Sequence, residues 1–333
     1  MKKFTKWCLI TALVLFTIGC VFCGVFGIFG GFEQLRQEGR YGLFQDGSVV
    51  VLDMGLFHFP LFDYDDDWHH GAEHSVSGSE AENTGCKASE ITDIEIELGA
   101  ACLVIEESAD DSVWIRNESS IKNLKYGMNN GTFVLYGNRN KYNNMFHNEN
   151  DGTVYLSLPK GLNLNSVDME IYAGQIENLN LEANTIELES GAGLYDIDSL
   201  KAKSISMDVG AGEMNIGSMS AETVSISVGA GTVDVKNADV AKDLDLDVGM
   251  GSISVQGKIT GDMDAECAMG EIGITLQGSE SEHNYTLECG MGNVIIGDNE
   301  YGGIAEERKI NNGSSSYFDI ECAMGSITIE FEN

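Results

Sequence analysis

Proline is nearly absent. The 333 residues contain two, Pro60 and Pro159, against 40 glycines. Glycine without proline excludes a collagen triple helix and a proline-rich linker. Positive charge is also scarce, with 19 Lys and Arg against 53 Asp and Glu and a formal net charge of −34. A chain of that sign repels phosphate backbones, so nucleic acid is excluded as a partner. Cations and basic partners are attracted instead. Of the eight cysteines, Cys86, Cys102, Cys267, Cys289 and Cys322 lie beyond the apolar N-terminus, and none of these forms a Cys-x-x-Cys pair. That removes a zinc-ribbon or thioredoxin reading for the main body. Phosphate loops, Gly-x-Ser-x-Gly elbows and an ordered Ser, His, Asp set are missing too, so the sequence offers no catalytic residues and no cofactor motif.

What the chain has is a hydrophobic start. Lys2, Lys3 and Lys6 precede an uncharged apolar run from Trp7 to Phe32. A bilayer needs roughly 20 apolar residues, so residues 1–32 are expected to be a cytoplasmic tip and an uncleaved transmembrane helix, longer than the core of a secretory signal. The lysines place the N-terminus in the cytoplasm and the remainder outside the cell, with Arg36 and Arg40 weakly opposed. A second reading is a lipoprotein signal at Thr17-Ile18-Gly19-Cys20, opposed by the apolar run continuing past Cys20.

Residues 33–90 show no clean period and read as an acidic, flexible linker. Within it, Asp65, Asp67, His69, His70, Glu73 and His74 are candidate metal ligands, since carboxylate and imidazole both bind metal. His70-Gly71-Ala72-Glu73-His74 matches the spacing of one metallopeptidase motif. That chemistry needs both histidines one turn apart on a rigid helix, and Gly71 in a polar spacer does not supply one. A solvated acidic spacer is the plainer reading.

From Ile91 onward repeats dominate. Gly174, Gly193, Gly212, Gly231, Gly251 and Gly270 recur at a spacing of 19 or 20 residues, and Gly292 and Gly325 follow after longer polar insertions. Each from Gly193 onward closes a Gly-x-Gly or Ala-x-Gly element between alternating apolar runs, and Tyr172-Ala173-Gly174 is a degenerate copy. Ile205, Met207 and Val209 share one face; Ala211 is expected to continue it; after Gly212 the phase slips and Met214 and Ile216 take over. A period of two that slips by one residue marks a corner, and glycine supplies its backbone. Leu179, Leu181, Leu200, Met219, Val240 and Ile259 mark a shorter third segment. The fold class is therefore all-β: a β-solenoid, parallel β-helix-like, of ~19–20 residues per coil stacked at ~4.8 Å, spanning residues 91–333. Its irregular part, 91–165, is expected to cap one end, and the regular repeats run over 166–333.

Stacking puts equivalent residues in columns. Ser190, Val209, Val228, Val248, Cys267, Cys289 and Cys322 form one, its cysteines acting as small buried hydrophobes. Ala192, Ala211, Ala230, Met250, Met269, Met291 and Met324 form another, with methionine expected as core filler. Glu187, Glu189, Asp208, Asp245, Asp247, Asp264, Glu266, Glu288, Asp319 and Glu321 are expected on one outer side, where carboxylate density makes calcium the candidate cation.

The strands Ile94-Glu95-Ile96 and Leu103-Val104-Ile105, the turn Leu158-Pro159-Lys160-Gly161 and the strand–Gly-x-Gly–strand units resemble the bacterial DUF4097 putative-adhesin family from about Ile91 to Asn333. The resemblance implies a β-solenoid behind a membrane anchor and brings no catalytic residues. Three functions follow as expectations. The first is an outward-facing surface binding protein for an extracellular protein or glycan, with Tyr285, Tyr301 and Tyr317 in its contact loops. The second is a self-stacking envelope scaffold, with Ser326 to Phe331 as an uncapped C-terminal rung. The third, a carbohydrate-active enzyme on a β-helix, lacks the cleft of carboxylates mixed with basic residues that such chemistry uses.

Overall fold

The computed structural model describes residues 51–53, 58–60, 74–76, 80–118, 124–137, 152–302 and 306–332. The chain divides into two units, 1–70 and 71–333. In the first, Val51–Asp53 pairs antiparallel with His58–Pro60. The expected membrane helix lies outside the described residues. Among the described residues, no helix is long and apolar enough to cross a membrane.

The second unit is built by alternation. Along 185–190, 204–209, 223–228 and 243–248 every second side chain is buried: Ile186, Leu188 and Ser190, then Ile205, Met207 and Val209, and so onward. These segments lie parallel and in register, Ile186 opposite Ile205, Ile205 opposite Val224, Val224 opposite Leu244 and Leu244 opposite Met263. They form the first face of a coil. Past the glycine corner, Tyr195, Met214, Val233, Ile253 and Ile272 form the first buried column of a second face. A third, shorter face holds Leu181, Leu200, Met219, Val240 and Ile259, all buried. Burying one such aliphatic side chain is worth roughly 1.5–3 kcal/mol, and one continuous column of them per inward position holds the coils together.

The corner works as the phase slip implies, except at its centre. A Cβ built on Gly251 would lie 2.2 Å from the carbonyl oxygen of Gly231, and one on Gly231 would lie 2.3 Å from that of Gly212. The second glycine of each corner thus touches the backbone of the preceding coil, leaving no room for a side chain. The residue between the glycines turns outward. Ala211 is exposed, so it does not continue the inward face. Met250, Met269, Met291 and Met324 are 64%, 53%, 48% and 52% exposed. The methionines are therefore not core filler: the sharp corner spends its slipped residue on the outside.

Ser190 and Tyr195 explain the one small polar residue in the inward column. The Tyr195 hydroxyl, fully buried, donates to the carbonyl oxygens of Glu189 (2.8 Å) or Ile171 (3.2 Å). Ser190 is small where the following coil carries Val209, which offsets the bulk of the tyrosine.

The coils do not stack in chain order. Asp262–Cys267 pairs with Tyr317–Cys322, and Tyr317–Cys322 pairs in turn with Asn284–Cys289. Likewise Ser326–Glu332 lies between Glu271–Gln277 and Asn293–Ile296. The strand expected to be an open terminal rung is thus paired on both sides. The outer layer comes from the insertion that precedes it: Asn299–Gly302 pairs antiparallel with Asn293–Ile296, and Glu306–Ile310 antiparallel with Asn284–Cys289. Glu307, Arg308 and Lys309 on that outer strand are exposed, a charged edge of the kind that discourages further pairing.

The other end repeats the device. Thr132–Gly137 and Thr153–Leu158 lie parallel to the two halves of Asp93–Glu107, whose opposite edge pairs with 166–177. Lys125–Asn129 and Ser112–Glu118 then close the layer antiparallel. Glu82–Lys87 pairs with Ser112–Glu118, and His74–Ser75 with Lys125–Asn129. Residues read as the tail of a linker therefore contribute strands to this end.

Candidate binding surface

The outward side of the first face is the most strongly charged surface described. One column runs Glu95, Asp168, Glu187, Ser206, Ser225, Asp245, Asp264, Asp319. Its neighbour runs Glu97, Glu170, Glu189, Asp208, Ser227, Asp247, Glu266, Glu321, Glu288. The pleat sends these side chains away from the core, and rung spacing holds like charges ~4.8 Å apart along the columns. Ser206, Ser225 and Ser227 interrupt both columns and leave two carboxylate clusters.

The crowding shows in the acidities. Burial first, then Glu187, Glu95 and Glu170, pushes the Asp168 carboxyl up to about 6. Burial, then Glu170, Asp168, Asp208 and Glu187, pushes Glu189 up to about 7. Glu189 reaches solvent, yet carboxylates flank it along and across the columns, and the upward direction follows from them. In the second cluster Asp264, Glu266 and Glu321 are raised by burial and then by their carboxylate neighbours. Basic residues do not interleave with these columns. Lys201 and Lys242 instead pair with Glu182 and Glu222 at the edge of the third face.

The sequence identified most of this ladder and missed its first rungs. Glu95, Glu97, Asp168 and Glu170 sit on coils whose corners are degenerate, Ala100-Ala101 and Tyr172-Ala173-Gly174, so the period does not flag them. Of the candidate metal ligands, Asp65, Asp67, His69, His70 and Glu73 lie outside the described residues. His74 is exposed and lies on a strand opposite Tyr126, with ring centroids 5.4 Å apart. It is not on the helix that the metallopeptidase motif requires. Among the described residues, no group of three or more His, Cys, Asp and Glu side chains is placed to hold a metal ion. The carboxylates stand in columns facing solvent rather than converging.

Two of the three expected contact tyrosines are structural. Tyr285 is buried in the column of Met263 and Phe318, and Tyr301 is buried opposite Val294; Tyr317 alone is exposed, at 60%. The insertion around them is pinned by His283. Its ring stacks on Phe318 at 4.1 Å, and its Nδ1 lies 2.8 Å from Ser316 Oγ, which donates to the Gly261 carbonyl oxygen at 2.6 Å. With the Ser316 proton so used, Nδ1 carries the imidazole proton and donates. Cys267, Cys322 and Cys289 are buried thiols on three adjacent rungs, as a hydrophobic role requires.

Coils of three parallel faces around one core, closed at both ends by antiparallel strands, define a capped β-solenoid whose first face is acidic on its outward side. The chain belongs to the Toastrack DUF4097 family, whose match covers residues 91–330. No curated protein matches it in sequence. Three solved structures are similar in part. One is a putative adhesin from Bacteroides fragilis, 12% identical, covering 77% of this chain and 99% of its own, with a TM-score of 0.39. Another is a putative lipid binding protein from Parabacteroides distasonis, 14% identical, covering 77% and 98%, with a TM-score of 0.41. The third is a putative cell adhesion protein from Clostridium sporogenes, 11% identical, covering 76% and 99%, with a TM-score of 0.26.

Proposed function

We propose that this chain is a non-enzymatic binding protein, anchored in the membrane by residues 7–32 and facing outward, whose solenoid engages an extracellular partner through the acidic face. The observation that carries the reading is the pair of adjacent carboxylate columns on one face of the sheet. Burial and then their mutual repulsion push the Asp168 and Glu189 carboxyls up, to about 6 and about 7, and a cationic partner relieves the repulsion on binding. Electrostatic complementarity of this kind speeds encounter and is weakened by salt. A basic protein surface fits the face better than a neutral glycan. The uncharged run and its preceding lysines support the anchor and its orientation. Self-association through Ser326 to Phe331 is disfavoured, because Ser326 to Ile329 is already paired on both sides.

The test uses the full chain in proteoliposomes, probed with polylysine and with a neutral glycan array. Polylysine capture that falls steeply with salt, and that falls further when Asp245, Asp247, Asp264 and Glu266 are changed to Asn or Gln, supports the reading. Unchanged capture by that variant overturns it. Protease access to the solenoid on intact cells tests the orientation.

A further inference from the structure

Four of the five large exposed hydrophobic side chains described are the corner methionines. In sequence they are irregularly spaced. In space they are consecutive: the Met269 N–H donates to the Gly249 carbonyl oxygen at 2.8 Å, that of Met324 to Ala268 at 2.8 Å, and that of Met291 to Ala323 at 2.6 Å. The order along the solenoid is therefore Met250, Met269, Met324, Met291. The glycines that follow them stack just as tightly: a Cβ on Gly270, Gly325 or Gly292 would meet the carbonyl oxygen of Gly251, Gly270 or Gly325 at 2.2, 2.4 or 2.5 Å. The corner is thus a rigid column carrying one thioether per rung, with only glycine or alanine on either side.

We infer that this methionine column binds a soft monovalent cation, Cu(I) or Ag(I), through the thioethers of neighbouring rungs. Thioether sulfur is a ligand for soft cations of this type and a poor one for calcium or magnesium. Metal–sulfur bonds are about 2.3 Å long, as for zinc and thiolate, so two of them in line span close to one rung of ~4.8 Å. Methionine has the flexible stem to bring its sulfur into line. Two further observations favour a cation over a purely apolar contact. Each methionine stands three residues after an acid of the second carboxylate column, Asp247, Glu266, Glu321 and Glu288, which lends the corner a negative potential. Moreover, the earlier corners carry Ala192, Ala211 and Ala230, so a corner of this fold needs no large side chain. The nearby thiols of Cys267, Cys322 and Cys289 face the core and are not the proposed ligands. Burial pushes each of Cys267 and Cys322 toward the protonated form.

The experiment titrates Ag(I), a redox-inert probe, into full-length protein in detergent micelles, labelled with ¹³C at the methionine methyls and assigned by single Met→Leu variants. The resonances of Met250, Met269, Met324 and Met291 are expected to shift together. They should still do so at about pH 5, with affinity lowered only as far as the neighbouring carboxylates gain protons, because thioethers do not titrate whereas thiolate and imidazole ligands do. Changing all four to leucine keeps the apolar volume, so folding is preserved, and should abolish this binding. Replacing Cys267, Cys289 and Cys322 by valine, the residue of the same column elsewhere, should leave it intact. Stationary methyl resonances while silver is taken up elsewhere would overturn the inference, as would a four-leucine variant that binds like the parent.

Discussion

Cys267 lies opposite Cys322 in a parallel pair, and not opposite Cys289, the next cysteine in the chain. The last coil in sequence is the penultimate coil in space. The rung at 284–296 therefore rests on a neighbour synthesised after it.

Truncation tests this arrangement directly. Removing residues 314–333 takes away the layer between Glu271–Gln277 and Asn293–Ile296, together with buried Phe318, Ile320, Ile327 and Ile329. The expected result is loss of the entire C-terminal cap, seen as protease cleavage throughout 278–313. Loss of a single outer rung, with 284–296 still protected, would contradict the strand order.

The corner glycines give a graded prediction. Gly251→Ala drives a Cβ to 2.2 Å from the Gly231 carbonyl oxygen and 2.7 Å from Val228 Cγ1. A cost of about 1–3 kcal/mol is expected, typical of overpacking without a soft neighbour to yield. Gly273→Ala is the control, because nothing lies within 4 Å of its Cβ. It should be neutral or stabilising by up to ~1 kcal/mol, the usual gain of alanine over glycine inside a strand. Denaturant midpoints at unchanged slope report both.

The acidic face makes stability depend on pH. The carboxyls of Asp168 and Glu189 are raised to about 6 and about 7 in the fold, above ordinary unfolded values near 4. The folded state then binds more protons between about pH 4 and 7, so their contribution is present at low pH and lost as pH rises through that window. Glu189→Gln should raise Tm by on the order of 2 °C at about pH 8 and leave it unchanged at about pH 4. An equal shift at both would assign the effect to packing instead.

His283 works in the opposite direction. Burial lowers its pKa, so the unfolded chain binds the extra proton first and stability falls as pH drops below about 6.5. Carboxylates face the ring from its own segment, through Glu282, while Tyr285, Phe318 and Phe331 pack around it. His283→Gln should flatten the acid limb of the Tm profile and lower Tm at neutral pH, since the stack on Phe318 is lost. An unchanged acid limb would show that His283 does not titrate on unfolding.

Much of the architecture was legible because a period near 19 residues and a one-residue phase slip both have a single geometric meaning. Ile205, Met207 and Val209 face inward, as do Met214 and Ile216, and the acids between them face outward. What the pattern does not encode is the order of coils. Cys267, Cys289 and Cys322 occupy equivalent positions, and any stacking order satisfies the same alternation. Alternation continued straight through the corner points the methionines inward, but the corner takes up the turn and swings the middle residue out. Tyr285 sits in sequence beside an insertion, which suggests a contact loop, yet it fills the same column as Phe318.

The interleaved end has a consequence for assembly. Residues 284–296 meet their native parallel neighbours only in 317–322 and 326–329, because the place beside Asp262–Cys267 and Glu271–Gln277 belongs to that later segment. The native edge left by Asp262–Cys267 and Glu271–Gln277 is therefore covered by residues that follow the insertion in sequence and not by the insertion itself.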